Sequence, residues 1–380
     1  MRLTNSIRLT ILAATGLLII SFRTYQDTTY REIPVDSLRA IYSQSPDMWP
    51  APHLDAGVKL IELGILPPSP LEAKKDSLKA MIALGKTLFF DPRLSGSNQL
   101  SCSSCHAPDL NWADGREVSV GHDHAANKRN APSLENVWFF KKLFWDGRSN
   151  SLEDQAMSPI SSPVEMHQDL NELPAELRAI PGYHLLFAAA FGDKKVTTAR
   201  IMSALATYQR TITSRKTDFD YFLSGKKNKL TDQQLLGLHL FRTKARCINC
   251  HNGPLFTDGE FHNVGLTYYG REREDLGRYN ITKDPADVGK FKTPGLRNVL
   301  RTRPWFHNGI FDNIEGLLNM YNAGMPQPRR KPGQEKDLLY PVKSPHLQPL
   351  QLTTAERDAV IAFLGAITTE PWKERAPVLP

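Results

Sequence analysis

Cysteine is scarce in this 380-residue chain: four residues, too few to staple a secreted scaffold of this size. Long apolar runs are scarce as well. The N-terminal run from Leu9 to Phe22 (LTILAATGLLIISF) falls short of the roughly 20 residues of a spanning helix, so a polytopic membrane protein is excluded. Period-2 alternation, the mark of half-buried strands, is sparse. So are blocks of like charge: the net charge of +7 is spread along the chain, not gathered into the basic patch that a nucleic-acid surface requires. With 41% hydrophobic and 23% charged residues, the chain is neither disordered nor collagenous, and its length suits about two domains.

What is present begins with a compartment signal. Arg2 and Arg8 precede the apolar run and Arg23 closes it, the layout of a signal-peptide core. No small-x-small cleavage site follows in SFRTYQ, so residues 1–26 are expected to be either a removed signal or a retained membrane anchor, with the remainder exported. Without this segment the net charge falls to +4, because Arg2, Arg8 and Arg23 are its only charged side chains. No nucleic-acid partner is expected. Residues 27–83 are rich in proline (Pro50, Pro52, Pro67, Pro68, Pro70) and read as a wrapping extension with one short helical stretch near Asp55–Leu63. Helical periodicity then predicts helices over 78–90, 151–157, 197–212, 231–241, 313–322 and 354–367. The expected fold is all-α with long loops, and such loops in a domain usually bind something.

Three landmarks recur in the same order. Leu84-Gly85-x-x-Leu88-Phe89 returns as Leu236-Gly237-x-x-Leu240-Phe241, and APSLENV (131–137) returns as TPGLRNV (293–299). Phe144-Trp145-Asp146-Gly147 with Leu152-Glu153 behind it matches Trp305-Phe306-His307-Asn308-Gly309 with Ile314-Glu315. An internal duplication is expected, with units at about 84–220 and 225–375.

All four cysteines lie in two matched motifs, Cys102-Ser-Ser-Cys105-His106 and Cys247-Ile-Asn-Cys250-His251. Two thiols three residues apart reach the two vinyl groups of a haem, and the adjacent imidazole falls beneath the iron as its proximal ligand. A zinc site would also use CxxC pairs, and a redox disulfide would use one. With histidine at 11 of 380 positions, its chance placement after both pairs is about one in a thousand, and export removes the reducing compartment that favours thiol zinc sites. Two covalent c-type haems are therefore expected, and four cysteines are the number they require. Two such haems make either an electron carrier, with both irons closed, or an enzyme with one iron open to a small oxidant.

The stretches LGKTLFFDPRLSGSNQLSCSSCH, VSVGH…RNAPSLENV, FWDGRSNSLEDQAMSPISSPVEM, LFRTKARCINCHNGPLF and FKTPGLRNV…RPWFHNG together resemble the bacterial dihaem cytochrome c peroxidases and their MauG-type relatives. The resemblance spans residues 60 to 370. It implies two cytochrome c-like haem domains, a periplasmic location, hydrogen peroxide as substrate and a small electron donor, a c-type cytochrome or cupredoxin; a homodimer is among the assemblies it admits. Electrons would enter at the His251 haem and reach peroxide at the His106 haem. Glu165 then matches the proton-moving carboxylate, Gln155 the residue that orients peroxide, and Trp145 the electron relay. Asn130, with the backbone of Thr302 and Pro304, matches an inter-haem calcium site of hard oxygen donors. His122 stands where a histidine caps the peroxidatic iron at rest, with His124 as its competitor. For the far ligand of the His251 haem, position counting from His307 selects Tyr321, the MauG-type residue, whereas Met325 in its Gly-Met-Pro loop would be the peroxidase-type thioether. A MauG-type oxidant of tyrosine or tryptophan in a partner protein is the alternative function, and an electron-transfer cytochrome the third.

Overall fold

The computed structural model describes residues 34–380, so the expected signal or anchor at 1–26 lies outside the described residues. Two crossed helix pairs organise the chain. In the first, the Lys79–Phe90 helix lies against Thr198–Gln209. Its Leu84, Leu88 and Phe89 are buried with Trp112, Leu205 and Tyr208. Gly85 allows the approach, because a Cβ there would stand inside contact distance of the Ala204 carbonyl. The second pair repeats this arrangement: Asp232–Arg242 packs against Thr354–Ala366, and Gly237 meets the Ala359 carbonyl in the same way. Here Phe241, Phe256 and Phe363 form an aromatic cluster with centroids 5.4–6.1 Å apart. Thr231 with Gln234, and Thr353 with Glu356, close capping boxes that fix where the two helices of this pair begin.

Each of the six predicted helical stretches contains a helix, the remaining two being Leu152–Ser161 and Ile314–Asn322. The stretch near Asp55–Leu63 is not helical. It is irregular with a turn at 56–57, and its backbone polar groups bond to the second helical pair's unit: Asp55 N–H donates to Asn249 Oδ1 (2.7 Å), the Ile61 carbonyl accepts from Gly253 (2.7 Å), and just before it the His53 amide donates to the Arg242 carbonyl (2.9 Å). The extension's helix is instead Val35–Tyr42, whose Leu38 and Tyr42 are fully buried and which packs on Asp232–Arg242. Further along, Ser69 Oγ donates to the Arg210 carbonyl at 2.5 Å, so the extension touches both halves. The helix Pro181–Phe191 also went unpredicted: its PGYHLLFAAAF is apolar on nearly every face and shows no periodicity. The all-α expectation needs one amendment, a two-stranded antiparallel sheet pairing Phe261 with Lys292 and His262 with Phe291. Among the described residues no helix is long and apolar enough to cross a membrane.

Candidate functional site

Cys102–Cys105 forms one helical turn, opened by a capping box between Ser101 and Ser104, and His106 follows it. The His106 Nδ1 lies 3.0 Å from the Trp112 carbonyl, and the His251 Nδ1 lies 2.9 Å from the Phe256 carbonyl. Trp112 (φ 62°) and Phe256 (φ 57°) are both left-handed, an uncommon conformation for bulky residues, at the point where each carbonyl meets its imidazole. A carbonyl can only accept, so each Nδ1 carries the proton and each Nε2 keeps a lone pair for a metal. Burial lowers both imidazole pKa values, which favours the neutral ligand form. Burial also pushes the Cys102 and Cys247 thiols up to about 12. A neutral thioether suits such a position better than a charged thiolate does, so the donor set fits covalent haem.

Both motifs open onto one continuous cavity of about 460 Å³, whose wall also carries Gln155, Glu165, Trp145 and Tyr321. Gln155 comes from the Leu152–Ser161 helix, and Glu165 from the turn just beyond it. The Glu165 Oε1 accepts a 2.8 Å hydrogen bond from Asn127 Nδ2, and its carbonyl accepts from the His122 amide at 2.8 Å. Asn127, also on the cavity wall, is a site residue that sequence reasoning missed, since within GHDHAAN it looks like any polar loop residue. Gly121 is required here, because a Cβ would collide with the Val164 carbonyl. The His122 ring stands off the cavity wall, 4.5 Å from the His167 ring, with Nδ1 buried and, among the described residues, unpartnered; His124 is exposed.

At the other end, burial raises the Tyr321 phenol, and Cys250 and Cys247 beside it raise it further. Met325 is buried but is not on the cavity wall. Between the two ends, the Trp145 indole N–H donates to the Asn130 carbonyl at 2.9 Å. Asn130, Thr302 and Pro304 line the same cavity, and Asn130 Nδ2 donates to the Arg116 carbonyl at 2.9 Å, leaving Oδ1 as its oxygen for a cation. The two halves also exchange backbone bonds reciprocally: Asn130 N–H donates to the His307 carbonyl, and Lys292 N–H to the Trp145 carbonyl, both at 2.8 Å.

Residues 79–228 match the family model for di-haem cytochrome c peroxidase. The chain is 35% identical to the cytochrome-c peroxidase IdrP1 of Pseudomonas sp. (strain SCT), covering 84% of this chain and 89% of that one. It is 34% identical to the methylamine utilization protein MauG of Methylophilus methylotrophus, covering 83% and 93%. This chain belongs to the di-haem cytochrome c peroxidase and MauG family. A crystal structure of a MauG-like protein associated with microbial copper homeostasis superposes with a TM-score of 0.69 at 31% identity, over 84% of this chain and 96% of that one. As a member of the di-haem peroxidase family the chain is an oxidoreductase of the peroxidase class, and that family implies two c-type haems.

Proposed function

We propose that the protein is an exported peroxidase that reduces hydrogen peroxide to water at the His106 haem, with electrons entering at the His251 haem from a small c-type cytochrome or cupredoxin. The haems, when bound, supply one-electron redox chemistry and an open iron face for peroxide. The observation that carries the reading is the Glu165 carboxylate, held by Asn127 at 2.8 Å on the wall of the cavity that receives Cys102, Cys105 and His106. Glu165 accepts the proton from the near oxygen of peroxide and returns it to the far one, so that the O–O bond breaks with water as leaving group. Two electrons and two protons then complete the conversion of H2O2 to two waters. Gln155 orients the peroxide, and Trp145, on the wall shared by both haems, relays electrons. A calcium ion at Asn130, Thr302 and Pro304 would brace the loop beneath Trp145, since Asn130 also accepts the indole N–H. The His122 ring, beside His167, is available to swing into the cavity as a resting-state cap. The matched glycine crossings and His–carbonyl bonds support duplicated units at 84–220 and 225–375. Glu165→Gln is expected to lower peroxide turnover by about 10²–10⁴-fold with both haem spectra intact; retained turnover would sink the assignment.

Tyr321 supports a second reading, a MauG-type enzyme that draws electrons from tyrosine or tryptophan of a partner protein. A phenolate favours ferric iron, whereas a thioether favours the reduced state. Tyr321→Phe should change the spin state of the His251 haem alone. An unchanged spectrum, with the change appearing in Met325→Ala instead, would return the site to the peroxidase type.

A further inference from the structure

Five cationic side chains line the shared cavity: Arg129, Arg148, Arg246, Lys292 and Arg297. Four of them have carboxylate partners within the protein. Arg129 binds Asp146 and Asp275 (both 2.6 Å), Arg148 binds Asp146 (3.0 Å), Arg297 binds Asp220 (2.8 Å), and Arg246 binds Asp55. Among the described residues Lys292 makes no ion pair. Its Nζ donates to the Lys142 carbonyl at 3.0 Å and sits 4.1 Å from the centre of the Phe140 ring. Burial drives its pKa down to about 7, with only the more distant Asp146 opposing. A lone ammonium in such a wall is costly unless an anion arrives. The ligand that fills this cavity brings anions, because each haem carries two propionate carboxylates.

We propose that Lys292 is a haem-binding residue that forms an ion pair with a propionate in the shared cavity, beside the relay residue Trp145. The local geometry sets its position. The Lys292 N–H is bonded to the Trp145 carbonyl, and two residues on, the Pro294 backbone reaches the His251 imidazole. Lys292 also occupies the position that Asn130 holds in the other half, one residue before the matched APSLENV and TPGLRNV segments. Asn130 accepts the Trp145 indole N–H through its carbonyl, so the two halves approach Trp145 through equivalent residues, one neutral and one charged. A Lys292–propionate pair therefore fixes a haem edge against the relay and places a positive charge beside it.

The inference rests on haem occupying the cavity, which the pyridine haemochrome spectrum of the wild-type holoprotein reports separately. The test compares wild type, Lys292→Met and Lys292→Arg holoproteins by resonance Raman spectroscopy and spectroelectrochemical titration. In Lys292→Met, the propionate bending band of one haem should shift. The reduction equilibrium constant of that haem should fall about tenfold, as expected for a unit charge removed at close range. Lys292→Arg should keep both near wild type. Should Lys292→Met not accumulate as holoprotein, Lys292→Gln carries the same comparison while keeping a donor for the Lys142 carbonyl. Haem-loaded Lys292→Met or Lys292→Gln with unchanged bands and potentials overturns the proposal, as does an arginine variant that behaves like the methionine one. Wild type without covalent haem overturns instead the reading on which it rests.

Discussion

The His106 and His251 halves share their supports and differ in what faces the cavity. In each, a glycine lets two helices cross against a backbone carbonyl, a left-handed bulky residue presents its carbonyl to the imidazole Nδ1, and an asparagine (Asn136 or Asn298, φ 59° and 60°) joins its half together. Asn136 does so through Ser214 and the Ile212 carbonyl, Asn298 through Thr369 and the Ile367 carbonyl. The cavity-facing positions diverge: Glu165, Gln155 and Asn127 at one end, Tyr321 at the other. Even matched positions part company. Among the described residues Glu135 is a buried carboxyl with no cation partner, while its counterpart Arg297 is tied to Asp220. A common support thus carries different cavity-facing side chains in its two halves, the difference to which the proposed function ties proton chemistry on one side and electron supply on the other.

The largest expected effect tests the shared support. Gly85→Leu and Gly237→Leu each force a side chain into a backbone carbonyl, and each should cost about 3 kcal/mol or more. Thermal unfolding of the holoproteins measures this. Equal losses support equivalent crossings, and tolerance at one site alone breaks the comparison.

A second test addresses Glu135, 8% exposed and bonded to Asn298 Nδ2 at 2.6 Å. Burial pushes its carboxyl up to about 7, with Asn298 opposing. The folded state then binds a proton that the unfolded chain releases near its ordinary value of about 4.3. Wild-type stability should fall as pH rises from about 4.5 to 7 and stay lowered above that. Glu135→Gln removes this slope, so at pH 8 it should be about 1–3 kcal/mol more stable than wild type, relative to their difference at pH 4.5. Denaturant titrations at the two pH values decide it. No change in the difference between them would mean that Glu135 finds a partner in the holoprotein.

Legibility in the sequence followed the range of the interaction. The CxxCH motifs are local, so their chemistry could be read from five adjacent residues. The helices were legible where one apolar stripe faces a core, as in Lys79–Phe90, and were missed where that contrast vanishes, as in Pro181–Phe191. Asp55–Leu63 was misjudged because its fate depends on partners nearly 200 residues away, Asn249 and Gly253, which bond its backbone from outside. Sequence separation, though shorter, also hid Asn127. Nothing within GHDHAAN marks it until the chain returns 38 residues later and sets Glu165 against its amide.

Asn127 also supplies the smallest of the tests and the sharpest separation between the halves. The amide donor fixes the direction of the carboxylate's free oxygen, which is needed if Glu165 is to accept a proton from bound peroxide. Removing a hydrogen bond to a charged group costs about 1.5 kcal/mol or slightly more, so Asn127→Ala should lower peroxide kcat about tenfold. KM and the spectrum and potential of the His251 haem should hold, because among the described residues the Asn127 side-chain amide bonds Glu165 and the Lys128 N–H, both in the other half. Asn127→Asp goes further in the same direction: it replaces the donor that sits 2.8 Å from Glu165 with a second carboxylate, so kcat should fall more than in Asn127→Ala. A loss spread evenly over both haems would identify Asn127 as a structural residue of the loop. A loss confined to kcat, larger in Asn127→Asp than in Asn127→Ala, would assign it to the proton-handling half alone.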